Sequence, residues 1–118
     1  MIEISDLEPL VKAGAKLLDQ VLPGWFRSFT EKQLSELNAQ DEYHDVLGVL
    51  YGSFHRGLAA LFPDLNDEER YNEATKYGFD VTREMWLNYF DGSHPFVDLT
   101  CLWAEVIRDR QENGIPDE

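Results

Sequence analysis

Residues 45–61, DVLGVLYGSFHRGLAAL, constrain the fold more than any other stretch. Apolar side chains fall at Val46, Leu47, Leu50, Tyr51, Phe54, Leu58 and Leu61, a helical spacing that turns one face inward. Gly48, Gly52 and Gly57 interrupt it. Gly52-Ser53 predicts a break, with Ser53 capping the next helix. Two helices, or one bent helix, should therefore run through the middle of the molecule. Gly48 should lie at a close helix contact, with Gly14 of the first helix as the facing residue.

Other helices are predicted around that centre. Ser5-Asp6-Leu7-Glu8 reads as a capping box, although Pro9 removes a donor just as the helix begins. Leu7, Leu10, Val11, Gly14, Leu17, Leu18 and Val21 then form one stripe, and Pro23-Gly24 stops it. Thr30 and Gln33 make a second box, opening a short helix. A third helix should start near Asp41 or Glu42. Asn66 caps a helix whose first turn is acidic, as the helix dipole favours, and Gly78 ends it. Residues 79–92 fit either a short helix carrying Met85, Trp86 and Tyr89 or an irregular loop. The last helix starts at Ser93 or Pro95, buries Phe96, Leu99, Leu102, Trp103, Val106 and Ile107, and places Arg108 and Arg110 against its negative end. Residues 114–118 form a short tail. No strand alternation or hairpin signal appears. The expected fold is all-α: one domain over residues 1–118, a bundle of about five to six helices.

The 118 residues suffice for one core without a disulfide or metal staple. Hydrophobic residues make up 43% of the chain, which argues against global disorder. The formal charge of −13 opposes direct binding to nucleic acid and to anionic membranes. It favours a solubilising surface, or one aimed at a basic partner. The N-terminus lacks a basic region and no apolar run reaches membrane-spanning length, so the expected location is cytoplasmic.

Four segments together resemble a group of short proteins encoded by actinobacteria and their phages. They are GAKLLDQVLPGW at 14–25, DVLGVLYGSFHRGL at 45–58, YGFD at 77–80 and LTCLWAEVIRDR at 99–110. They cover about half the chain in the same order. The chain departs from the group in an acidic insertion around residues 63–72 and in the Tyr43-His44 pair. The resemblance implies a small helical domain, phage or prophage encoded. It transfers no activity and no catalytic residue.

Catalytic patterns are weak throughout. There is no Glu-x-x-His or His-Glu-x-x-His pair for a metal. Residues 64–68 open like a calcium loop, but Glu69 stands where Gly is needed and Thr75 where Glu is needed. Around Ser53 the second Gly is four residues away rather than two, so the nucleophile-elbow pattern fails. Cys101, the single cysteine, reads as a small core filler inside the last helix. No catalytic residue, cofactor or metal is expected.

Two sets of residues remain as candidates. Trp25, Phe26, Phe29, Trp86 and Tyr89 lie outside the clean stripes, and exposed aromatics anchor protein interfaces. His44, Tyr51, His55 and Tyr77 surround the central break and would make a polar pocket. The leading expectation is a non-enzymatic interaction or regulatory protein with a protein partner, basic in character. The alternatives are a small enzyme or ligand-binding domain at that pocket, and a DNA mimic. Monomer and homodimer stay equally open.

Overall fold

The computed structural model describes residues 1–90 and 94–116. The order is α1 (Ile4–Val21), a 3₁₀ turn (Trp25–Ser28), α2 (Glu31–Ser35), α3 (Val46–Tyr51), α4 (Phe54–Leu61), α5 (Asp67–Lys76), α6 (Arg83–Leu87) and α7 (Pro95–Asn113). The fold is all-α, with seven α-helices among the described residues rather than five to six. The extra pieces come from the break at Gly52 and from residues 79–92, where Thr82 caps a short helix by accepting the Met85 N–H.

The long helices α1 and α7 pack against each other and carry the core. Leu7, Val11, Ala15 and Leu18 meet a face that includes Leu99, Trp103 and Ile107, all buried. Trp103 is the hub. Its indole donates to the Gly78 carbonyl at 2.6 Å, stacks on Phe79 at 5.3 Å and meets Trp25 edge-on at 6.1 Å. Gly14 lies beneath it, and a Cβ there would fall 2.0 Å from the Tyr77 carbonyl oxygen and 2.9 Å from the Trp103 ring. The close approach expected at Gly14 exists, but its partners are Tyr77 and Trp103, not Gly48.

The start of α1 differs from expectation. Ile2 pairs with the chain after α6: its N–H donates to Asn88 and its carbonyl accepts from Phe90. That pairing keeps Glu3 extended, so the helix opens at Ile4 and Asp6 takes the Glu3 N–H at 2.9 Å. Ser5 turns to the Glu3 carboxylate instead of forming a box with Glu8. Pro9 sits within the helix, in its second turn and exposed.

The Gly52 break occurs as the sequence predicts, with φ of 94° at Gly52 and Ser53 capping α4. α3 starts later than Asp41. The Asp41 carboxylate takes the Tyr43 N–H and the His44 ring, which holds residues 41–44 in turns, and Asp45 becomes the cap. This folds Glu42 and Tyr43 back onto α3. A Cβ on Gly48 would sit 2.6 Å from the Glu42 oxygen and from the Tyr43 carbonyl carbon. Both obstacles are backbone and cannot rotate away. Gly48→Ala gains about 1 kcal/mol in helix propensity, but overpacking of ~1–3 kcal/mol opposes it. A net loss in melting temperature by circular dichroism is the expected result, and an unchanged or raised one would contradict this packing.

At the other end His94 caps α7, its Nδ1 accepting the Phe96 N–H at 3.2 Å, with Pro95 in the first turn. Ser93, the other expected start, lies outside the described residues. Cys101 is exposed, not a core filler, because it points away from the Leu99–Trp103–Ile107 stripe.

Candidate functional site

The aromatic candidates separate. Trp25, Phe26 and Phe29 are buried and are not an interaction surface. Gly24, at φ of 80°, turns the chain back after α1, and Trp25 meets both Phe26 and Phe29 edge-on. Gln111 of α7 then donates to the Phe26 and Phe29 carbonyls at 3.0 and 2.8 Å, fixing the turn beneath α7. Tyr89 is also buried. Its hydroxyl donates to Asp98 at 2.6 Å, and burial first, then that carboxylate, raises its pKa. Of the five, Trp86 alone stays substantially at the surface, 39% exposed.

The polar candidates do not converge. His44 pairs with Asp41, while His55 bonds the Tyr71 hydroxyl at 3.1 Å and faces Glu42 at 3.5 Å. Tyr77 stacks on Phe62 at 5.8 Å. Burial raises the pKa of Tyr51, which is half-buried. The turn at Gly52 sends α4 towards α5, so His55 faces Tyr71 rather than His44. His44 and His55 sit in surface pairs, Tyr51 and Tyr77 pack partly against the core, and the four line none of the clefts described below.

A different face gathers the features a binding site needs. Trp86 contacts His94 and Phe96 with ring centroids 4.7 and 5.3 Å apart, both edge-on. Leu87 beside it is 73% exposed, and Val97 is 58% exposed. α6 fully buries none of its own residues; Met85 packs partly against the core, Ile2 pairs with the chain just after the helix, and the ring contacts hold Trp86 at the surface. Val81, Arg83, Trp86 and Leu87 enclose a shallow depression on one side.

On the other side Phe96 is the wall of a cleft of about 190 Å³. Phe54 and Phe79 complete its aromatic lining, and Glu42, Asp45 and Asp80 supply three carboxylates. Asp45 is only 6% exposed. One of its oxygens accepts the Gly48 N–H as the cap of α3. Burial pushes this carboxyl up to about 7, the Gly48 bond opposes the rise, and the charges of Asp41, Asp80 and Glu42 add to it. Asp80 is raised by burial too, against a bond from the Val81 N–H. Among the described residues no Lys or Arg lines the cleft. Among the described residues no group of three His, Cys, Asp or Glu is arranged to hold a metal ion.

A larger groove of about 700 Å³ runs between α1 and α7. Its charged floor is already satisfied: Arg110 bonds Asp19 at 3.0 Å, and the Trp25 indole donates to the same carboxylate at 2.9 Å. Sequence reasoning assigned Arg110 to the helix dipole and missed this pair. It also missed Asp45 and Asp80, whose proximity depends on the fold; the only local signal was an Asp directly before the apolar run of α3.

No family model, curated protein or solved structure matches this chain. No helix among the described residues is long and apolar enough to cross a membrane.

Proposed function

We propose that this chain is a non-enzymatic interaction protein that binds a protein partner through the face centred on Trp86, Phe96 and Val97. The observation that carries the reading is an indole exposed to solvent yet held by two ring contacts, with Leu87 exposed beside it and Val97 exposed next to Phe96 in the chain. Such pre-ordered aromatic surface is what interface hot spots consist of. A charge of −13 makes a basic partner the favoured one. The enzyme alternative loses its support because His44, Tyr51, His55 and Tyr77 do not share a pocket. The resemblance to short proteins of actinobacteria and their phages makes a host protein the partner of choice and an actinobacterial lysate the place to look.

The test compares the intact chain with Leu87→Glu, a change on a helix that buries none of its residues. Captured protein should fall at least about tenfold in the variant, the effect of losing a hot-spot contact. Equal capture by both, with the circular dichroism of the two proteins matching, would remove this face from the interaction.

A further inference from the structure

The geometry points to a specific occupant for the acidic cleft: we infer that it receives the cationic side chain, lysine or arginine, of the docked partner. The partner segment thus presents a basic residue beside an apolar one. This rests on the interaction reading above and deepens it.

Charge complementarity carries the argument. Glu42, Asp45 and Asp80 share the cleft, and among the described residues no Lys or Arg lines it. Asp45 is more than nine-tenths buried, at 6% exposure, and only one of its oxygens is hydrogen-bonded, to the Gly48 N–H. The second oxygen has no protein partner among the described residues; none of their side-chain oxygens is both buried and unbonded, so this one keeps solvent access, and Asp45 lines the cleft, where a charge-assisted bond can reach it. The walls suit the rest of such a side chain. Phe54, Phe79 and Phe96 offer aromatic surface to an alkyl stem, and their faces attract a cation.

Size and position narrow the occupant further. About 190 Å³ is below the range of pockets that enclose whole small ligands and fits one long side chain. Phe96 belongs both to the cleft and to the exposed aromatic face, so the two are continuous. A segment lying on Trp86 with an apolar residue can therefore turn its neighbour into the cleft. A second copy of this chain is disfavoured, since two bodies of charge −13 repel.

The experiment titrates the intact ¹⁵N-labelled protein with three capped tripeptides, Leu-Lys-Leu, Leu-norleucine-Leu and Leu-Glu-Leu, and with butylammonium. The lysine peptide should shift the Trp86 indole N–H and the Gly48 and Val81 amides that the two aspartates hold. It should bind about tenfold tighter than the norleucine peptide, the yield of one charge-assisted contact. Asp45→Asn combined with Asp80→Asn should erase that tenfold difference while the Trp86 shift survives. Asn caps a helix as well as Asp, so the α3 cap persists. Glu42→Gln, on an exposed residue, gives a second variant with a smaller loss should the double variant fold poorly.

Equal binding of the lysine and norleucine peptides, with Trp86 still responding, would overturn the cleft assignment and leave the docking face intact. Silence at Trp86 with every peptide would count against the face itself. Butylammonium binding as tightly as the lysine peptide would make the occupant a free amine and overturn the inference. Probe-free shifts that grow with protein concentration would do the same in favour of a second copy.

Discussion

Arg110→Ala is expected to lower the unfolding free energy by about 3–5 kcal/mol, the usual result of breaking a buried ion pair from one side. Arg110 and Asp19 have side chains only 10% and 9% exposed. Two bonds, at 3.0 and 3.4 Å, tie the last turns of α7 to the last turns of α1. Removing the guanidinium leaves Asp19 buried with the Trp25 indole as its remaining partner. The carboxylate then lacks its counter-charge, which costs stability. Urea denaturation followed by tryptophan fluorescence reads the loss as a lower midpoint at unchanged slope. The converse substitution separates attraction from burial. Asp19→Leu with Arg110→Met replaces the pair by apolar volume and should cost far less than either single change, because both desolvation penalties vanish together. A loss under about 1 kcal/mol for Arg110→Ala would make the pair equivalent to a surface salt bridge.

That pair also shows where sequence reasoning reached its limit. Residues 99, 103, 107 and 110 continue one helical stripe, so the position of Arg110 on the inner face of α7 was present in the spacing. What the spacing lacked was the partner, 91 residues away in the chain. Caps at Thr30, Ser53 and Asn66 were legible because a cap is a local bond across three residues. Glu3 was not, since Ile2 is held extended by residues 88 and 90. Cys101, expected in the core, falls off the stripe that carries Trp103 and is exposed, a misreading that the spacing itself contradicts.

The aromatics illustrate the same division. Trp25, Phe26 and Phe29 follow a helix stop and carry no periodicity, so nothing local distinguishes a plug beneath α7 from a surface anchor. Trp86 looked similar in sequence and lies on the surface because α6 is a single short element with no second layer over it. Legibility thus followed contact order. Bonds within a turn were visible, and the cleft that unites Asp45, Phe54, Asp80 and Phe96 was not, because segments far apart in the chain build it.

The second large effect is a pH dependence centred on Asp45. An Asp in the unfolded chain releases its proton near 3.8, whereas burial holds this one up to about 7 in the folded protein. Between those values the folded state binds more protons than the unfolded state, so stability falls as pH rises through the window. Above about 7 the group contributes no further slope. Each unit of displacement corresponds to about 1.4 kcal/mol, so the full effect is of order 2–4 kcal/mol once partial screening by the open side of the cleft is allowed for. Asp45→Asn retains a cap for the Gly48 N–H and removes the titration. The difference in unfolding free energy, variant minus wild type, should therefore be near zero at pH 4 and grow steadily towards pH 7. Asp41, Glu42 and Asp80 face the same carboxylate, and their charges are common to both proteins, so the difference isolates Asp45. Parallel stability profiles across that range would show that Asp45 is as well solvated as an ordinary surface carboxylate. A cation entering the cleft would lower the carboxyl's pKa towards its unfolded value and so shrink this dependence, which gives the proposed occupant a second readout.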